Sequence, residues 1–218
     1  MKKMTALAAS ILVVIASGQA MAGSTANLQV TGKLMPSACD ITISGAAKEG
    51  VAFGDIDIAK LNKYKPTELT DNAQKIAITV SCPEAAHTGI KFYDMMTANK
   101  AKSAFSLGYK NNVELGSFKL VLDPNESNID GKPAEAMYLR NEHGLFEKVG
   151  GASAVPMQNS TVTTTAGFDI SSTQDTRDAA KTKRFGLTVV PTINATNDIG
   201  NVQETTLSGI AAVDIIYL

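Results

Sequence analysis

The sequence is poor in the side chains that carry most enzyme chemistry: it has two histidines, two cysteines and no tryptophan. Neither His87 nor His143 lies in a known motif, and each follows or lies in a turn-like segment, as surface histidines commonly do. The chain also has no G-x-S-x-G elbow, no phosphate-binding loop and no H-E-x-x-H motif. We therefore expect a protein that is not an enzyme, with no catalytic residue and no cofactor.

The chain has little net charge, with 20 basic and 21 acidic side chains and a formal net charge of −1. Proteins that bind nucleic acid carry clusters of Lys and Arg, and this composition gives no basic excess. The short basic run Lys181–Arg184 (KTKR) comes just before an apolar stretch, and we interpret it as a solvated loop. The sequence thus predicts no nucleic-acid partner.

A long apolar run lies at the N-terminus. Two lysines precede the apolar residues 4–16, and Ala20-Met21-Ala22 has the small-x-small pattern of a cleavage site. The run is shorter than the ~20 residues that a membrane-spanning helix needs. We expect residues 1–22 to be a signal peptide that is removed on export, and residues 23–218 to form a single domain without a membrane span.

Cys39 and Cys82 are the only cysteines in the sequence. Because an exported chain meets an oxidising compartment, a disulfide between them is the favoured state. Closing a loop of this length would stabilise the fold by about 4 kcal/mol on the chain-entropy model. Two free thiols or a metal-binding pair are the alternatives, although two cysteines alone make a poor zinc site.

The polar segment DPNESNIDGKP, residues 123–133, has some of the oxygen-bearing positions of a calcium-binding loop. However, Asn128 stands where the sharp turn of such a loop needs glycine, and Ala134 stands where a bidentate glutamate is required. We interpret the segment as a solvated turn and predict no metal site.

Apolar residues alternate with polar ones through most of residues 23–218, which is the period of half-buried β-strands. The side chains predicted to face inward in the clearest strands are Ile76, Ile78, Val80, Cys82, Phe118, Leu120, Leu122, Phe185, Leu187 and Val189. No window shows a long 3.6-residue period, and residues 70–72 and 173–184 have room for a short helical turn at most. About eight to ten short strands with turn signals between them predict an all-β fold, an antiparallel β-sandwich.

Two local signals mark the ends of predicted strands. Residues 141–144 (NEHG) predict the turn of a β-hairpin between MYLR and LFEKV. Pro191 has no N–H to donate to a ladder, so we expect it to mark the end or the edge of the strand RFGLTVV.

The sequence closes on AAVDIIYL, residues 211–218, in which apolar side chains alternate and no polar tail follows. A free apolar strand edge is an aggregation hazard, which proteins usually blunt with charge or proline or cover with another segment. We therefore ask what covers this strand.

Several features, taken in order, resemble the pilins of the bacterial chaperone–usher pathway. The matching pieces are the signal peptide, the alternating stretch GSTANLQVTGKL (23–34), the tetrapeptide PSAC (36–39), the V-x-F-G-x-I segment (51–56), a strand ending on Cys82, and a penultimate Tyr217. The chain is similar still more closely to a pilin-like bacterial group known mainly as a domain of unknown function. That similarity lies in G-D-I-x-x-x-x-L-N (54–62), V-x-P-T-I (189–193) and the terminal I-x-Y-L.

The resemblance implies an immunoglobulin-like sandwich that lacks its last strand and so has an apolar groove beside its C-terminal strand. A periplasmic pilus chaperone would lend a strand to this groove, and at the outer-membrane usher the N-terminal extension of a neighbouring fimbrial subunit would replace it. The residues that would line the groove are Ala211, Val213, Ile215 and Tyr217. The residues that would enter a neighbour's groove are Ala26, Leu28 and Val30, within a donor-type extension at 23–34.

The resemblance also implies a location and a role. The protein would be exported through the inner membrane to the periplasm and then be incorporated in a fimbrium at the cell surface, where it would support cell adhesion. Two other functions stay open. The first is a self-complemented secreted β-sandwich whose loops bind a carbohydrate or protein ligand. The second is a secreted hydrolase whose catalytic residues are dispersed and carry no motif.

Overall fold

The computed structural model describes residues 38–45, 50–96, 102–141, 143–149, 155–160, 166–200 and 205–218. The predicted signal peptide (1–22) and the predicted donor extension (23–34), with Ala26, Leu28 and Val30, lie outside the described residues. What the sequence predicts for these two segments therefore stays a prediction.

β-strands make up most of the described chain. The strands are β1 (Asp40–Ser44), β2 (Thr67–Glu68), β3 (Gln74–Ala86), β4 (Thr88–Asp94), β5 (Phe105–Ser106), β6 (Tyr109–Lys110), β7 (Val113–Glu114), β8 (Gly116–Ile129), β9 (Lys132–Pro133), β10 (Ala136–Arg140), β11 (Phe146–Val149), β12 (Val155–Pro156), β13 (Phe168–Ser171), β14 (Ala180–Ile193) and β15 (Ala211–Tyr217). The longest strands are β3, β8 and β14, with 13 or 14 residues each. The helical elements are two 3₁₀ turns, Ile58–Lys60 and Thr70–Asn72, and the single-turn helix α1 (Thr196–Ile199). The structure has more strands than the sequence predicts, because two-residue pairings such as β2 and β9 are too short to show alternation.

The strands form two antiparallel sheets whose inner faces share one hydrophobic core. The first sheet has the order β1-β3-β14-β8-β12, with β2, β5 and β9 on its margins, and the second has the order β11-β10-β13-β4-β15. The short hairpin β6–β7 stands apart from both. This arrangement confirms the predicted all-β, immunoglobulin-like antiparallel sandwich.

The core residues predicted from alternation are buried, apart from Ile76, which is half-buried. Aromatic rings form the centre of this core: the ring of Phe105 lies 5.4 Å from that of Phe118 and 6.2 Å from that of Phe92, between centroids. Each such side chain contributes about 1.5–3 kcal/mol by leaving water. Alternation therefore located the inner faces of β3, β8 and β14 correctly.

β14 continues past Pro191 to Ile193 and lies between β3 and β8, so the prediction that this proline marks the end or the edge of the strand is wrong. β14 pairs with β3 as far as Val189 and with β2 from Thr192, and Pro191 falls between these two partners. The carbonyl of Pro191 accepts a hydrogen bond from the N–H of Leu69 (2.9 Å), so its backbone faces this side. The nitrogen of Pro191 therefore faces the interval between β3 and β2. Its lack of an N–H removes no hydrogen bond to β8 on the other side.

The basic run Lys181–Arg184 lies in β14 and is not the solvated loop that its charge indicated. Lys183 is only 1% exposed, and its Nζ donates hydrogen bonds to Oδ1 of Asp169 (2.5 Å) and to the carbonyl of Thr88 (2.8 Å). Both partners belong to the opposite sheet, so this ion pair joins the two layers of the sandwich. The partner of Lys183 is distant in sequence, and a local pattern therefore cannot reveal it.

The predicted hairpin and one of the two possible helical turns are present. β10 and β11 form the expected hairpin, and Oδ1 of Asn141 accepts from the N–H groups of His143 (3.0 Å) and Leu145 (2.9 Å) at its turn. The 3₁₀ turn at Thr70–Asn72 is also present. No helix forms within residues 173–184, where β14 already begins at Ala180.

Candidate functional site

β15 is the edge strand of the second sheet, paired with β4 on one side. The N–H of Met95 donates to the carbonyl of Ile210, and the N–H of Leu218 donates to the carbonyl of His87, both at 3.0 Å. Bonded residues alternate in an antiparallel ladder, so the even-numbered residues bond to β4. The residues whose N–H and C=O groups point to the free edge are therefore Ala211, Val213, Ile215 and Tyr217. No strand in the described part of the chain pairs with that edge.

β1 is the corresponding edge of the first sheet, paired with β3 on one side among the described residues. The N–H of Cys39, just before β1, donates a hydrogen bond to the hydroxyl of Tyr217 at the end of β15 (2.9 Å). This bond shows that the two edges lie on the same side of the sandwich and meet at one end.

The predicted disulfide between Cys39 and Cys82 is confirmed, with an S–S distance of 2.09 Å. In the register of β1 and β3, Asp40 pairs with Ser81, so the two cysteines stand opposite each other. β1 is largely exposed, and Ile41 is its one residue packed against the core. The disulfide therefore fastens a weakly packed edge strand to the sheet.

An apolar groove with a volume of about 1020 Å³ opens between these two edges. One wall consists of Ile43 and the segment 50–61, and the other consists of residues 205–211 and Val213. Core side chains, including those of Phe92 and Phe118, form its floor. Among the described lining residues, Asp55 alone is charged. The groove thus combines a strand edge that no described strand pairs with and a largely apolar interior with one charged lining residue.

The structure places two of the four predicted groove residues in the groove. Ala211 and Val213 contribute to its wall. Ile215 is half-buried against the core beyond the end of the groove, and Tyr217 is 45% exposed, with its hydroxyl on the N–H of Cys39. The side chains of the strand therefore divide into a groove-lining half and a half that closes the sandwich.

Two segments of the groove were not predicted as site residues. In the first, Val51, Phe53 and Ile56 are half-buried against the core, where they form much of one wall. In the second, residues 205–210 extend the opposite wall before β15 begins. Two sequence patterns mark these segments: V-x-F-G-x-I in the first, and the alternation that runs from TTLSGI into AAV in the second. Neither pattern indicates which edge of the sandwich its segment faces.

Gly209 allows the wall formed by residues 205–210 to approach the first sheet closely. A Cβ at this position would lie 2.3 Å from the carbonyl oxygen of Ser106 and 2.8 Å from the ring of Phe118. Nearby, the N–H of Ser208 donates to the carbonyl of Leu107 (2.9 Å). Only a glycine fits this contact without moving the backbone.

The other chemistry-bearing residues do not form a second site among the described residues. His87 and His143 are both exposed. In the polar segment 123–133, Oδ1 of Asp123 accepts from the N–H of Asn125 (2.9 Å), and the carboxylate of Asp130 accepts from backbone N–H groups of β14. Within the described ranges, no group of three or more His, Cys, Asp or Glu side chains could hold a metal ion, and no helix is long and apolar enough to cross a membrane.

Comparisons with known proteins do not assign this chain to a family. No family model matches the sequence, and no curated protein matches it. The function proposed below therefore rests on the groove and its edges.

Proposed function

We propose that this protein is a non-enzymatic subunit of a fimbrium that supports cell adhesion, and that its groove accepts a β-strand from another molecule. A periplasmic chaperone would fill the groove first, and the N-terminal extension of a neighbouring subunit would replace it at the outer-membrane usher. The observation that carries the proposal is the free edge of β15 beside an apolar groove of about 1020 Å³.

The backbone of β15 supports strand addition. Its unpaired N–H and C=O groups recur at every second residue, which is the pattern that an added strand satisfies. Each backbone hydrogen bond formed there would contribute about 0.5–1.5 kcal/mol net. An edge of this kind left bare would instead promote aggregation.

The apolar interior supports the same conclusion. Ile43 and Ile58 line the groove and are 54% and 41% exposed, and Ile210 at its other wall is 55% exposed. Covering such side chains stabilises the bound state by about 25 cal/mol for each Å² of apolar surface removed from water. A strand with apolar side chains at alternate positions would bury them while its backbone pairs with β15.

The disulfide gives the groove a fixed wall. Because the bond between Cys39 and Cys82 holds β1 against β3, the first sheet keeps its edge in place before any strand arrives. A groove that is already shaped loses less entropy on binding than one that must order itself.

A strand-binding experiment tests this function directly. Residues 23–218 would be purified from the periplasm, and the synthetic peptide GSTANLQVTGKL, which copies residues 23–34, would be added. We expect the protein alone to oligomerise or aggregate, and to become monodisperse and more thermostable with the peptide, because ligand bound to the folded state raises its stability. A scrambled peptide of the same composition is the control.

The opposite result would contradict the proposal. A partner-free monomer that melts cooperatively at high temperature and ignores both peptides would indicate a sandwich that is already complete. That outcome would favour the self-complemented secreted protein, with its loops as the ligand-binding surface.

A further inference from the structure

We propose that the incoming strand pairs with the stretch Leu207–Val213, and that the bond between Tyr217 and Cys39 ends its binding site. This inference rests on the proposed function. It moves the site toward the N-terminus from Ala211, Val213, Ile215 and Tyr217, the groove residues that the resemblance to pilins implies.

The extent of the groove supports this position of the binding site. Its wall includes residues 205–211 and Val213, whereas Ile215 and Tyr217 do not contribute to it. The floor under residues 205–210 includes Leu107 and Leu115, which are both buried. An incoming strand that places side chains in the groove must therefore run beside this earlier stretch.

The hydrogen bonds of residues 205–210 give a second argument. The N–H of Ser208 bonds to the carbonyl of Leu107, and the carbonyl of Ile210 accepts from the N–H of Met95. These are even-numbered residues, as are those of β15 that bond to β4. The two bonds thus keep the even-numbered parity of β15 in the preceding segment, although Ser208 bonds to Leu107 and not to β4.

The odd-numbered residues of this stretch face both the groove and the free edge. Leu207 is half-buried against the core, and the Cβ position of Gly209 points at Ser106 and Phe118. Ala211 and Val213 continue the same series in β15. The proposed acceptor edge therefore consists of Leu207, Gly209, Ala211 and Val213, whose backbone groups bond to no strand or loop among the described residues.

The C-terminal limit of the binding site lies where a hydrogen bond joins the two sheets. The hydroxyl of Tyr217 accepts from the N–H of Cys39, and Cys39 is itself bonded to Cys82. The next residue, Leu218, donates its N–H to the carbonyl of His87 on the β4 side. A strand that paired as far as Tyr217 would have to displace the contact that bridges β1 and β15.

The occupant that we propose is residues 23–32 of a second copy of this chain. Their sequence, GSTANLQVTG, has no charged residue and places Ala26, Leu28 and Val30 at alternate positions. The groove has the matching character, because Asp55 is the one charged residue among its described lining. An uncharged alternating strand satisfies the edge without burying an unpaired charge.

Residue-resolved amide exchange tests the inference on the wild-type protein. Residues 23–218, labelled with ¹⁵N, would be measured by NMR with the peptide GSTANLQVTGKL and, at a dilution that keeps the protein monomeric, without it. We expect exchange to slow by ~10-fold or more at Leu207, Gly209, Ala211 and Val213, and to stay unchanged at Ile215 and Tyr217. Protection centred on Ile215 and Tyr217 would overturn the inference while leaving the proposed function intact, whereas absence of any peptide binding would overturn both.

Two substitutions sharpen the result. Leu207→Asp is expected to weaken peptide binding by ~10-fold or more, while Ala212→Asp, on the opposite parity, changes it by less than ~2-fold. Tyr217→Phe removes the hydrogen bond to Cys39 and keeps the ring, so we expect protection to extend to Ile215. Equal effects of the two aspartates, or an unchanged boundary in Tyr217→Phe, would contradict the proposed acceptor edge and its end.

Discussion

Nζ of Lys183 lies 2.5 Å from Oδ1 of Asp169, and this ion pair bridges the two sheets inside the core. The two side chains are 1% and 0% exposed, and among the described atoms the second carboxylate oxygen of Asp169 has no hydrogen-bond partner. A pair of this kind is costly to desolvate, and its loss leaves an uncompensated buried charge. Substitutions at this pair therefore separate the energetic cost of lost packing from the cost of an unpaired buried charge.

Removing one partner of this pair should destabilise the protein strongly. Asp169→Ala is expected to cost about 3–5 kcal/mol of unfolding free energy, because the ammonium of Lys183 stays buried without a counter-charge. Urea denaturation of the peptide-bound protein would measure it. The double variant Lys183→Met, Asp169→Leu is the control, and it should cost much less. A double variant as unstable as the single one would show that the site needs the ion pair itself.

The same carboxyl should make stability depend on pH. Burial raises the pKa of Asp169 above its ordinary value, although Lys183 opposes that shift. The folded state then binds the proton more tightly than the unfolded state, so this group's contribution is present at low pH and is lost as the pH rises from about 4. The unfolding free energy of the wild type minus that of Asp169→Asn should fall with rising pH across this window. A difference that rises instead would mean that the ion pair lowers this pKa.

Loss of the disulfide should weaken both the fold and the groove. Cys39→Ser, Cys82→Ser and the double variant are each expected to cost ~2–5 kcal/mol, because the same cross-link is absent in all three. Thermal melts with and without reductant would give the comparison. Peptide affinity should fall as well, since Ile43 of β1 lines the groove. Variants that keep full affinity would show that this wall is held by other contacts.

Charge placed on the groove wall should abolish assembly without unfolding the domain. Val213→Asp puts a carboxylate among apolar lining residues, so we expect it to eliminate binding of the chaperone and of the peptide. Ala212→Asp, one position earlier on the outer face, is the matched control. Pull-down from periplasm and calorimetry would measure the two partners separately. Val213 and Ile215 both pack against the core, but Ile215 does not line the groove, so we expect Ile215→Asp to destabilise the domain rather than to act through the groove wall.

A methyl group at Gly209 should disturb the groove wall. In Gly209→Ala the new Cβ would meet the carbonyl of Ser106 at 2.3 Å, and because that atom is backbone the segment must shift. Overpacking of this kind typically costs about 1–3 kcal/mol. Ser208→Ala, at the exposed neighbouring position, is the control for changes that leave the backbone in place. A melting temperature unchanged in Gly209→Ala would show that the wall is free to move.

Much of the fold could be predicted from the sequence because alternation is a local property. The inner faces of β3, β8 and β14, the hairpin after β10 and the disulfide all follow from short patterns or from the predicted export signal. The errors arose where a residue's surroundings come from elsewhere in the chain. Pro191 falls between two partner strands, and Lys183 is paired across the sandwich, and neither fact has a local signature.

The candidate site, too, could be predicted only in part from the sequence. The period of AAVDIIYL determines which side chains of β15 face inward, since side chains in a strand alternate whatever its neighbours are. Only the tertiary structure decides which of them line an open groove, because that depends on the position of β1, on residues 50–61 and on the bond between Tyr217 and Cys39. The sequence by itself determined a disulfide-linked β-sandwich with an apolar last strand. The packing of two distant edges decided where its interior stays open, since the space between sheets is set by contacts that no single segment contains.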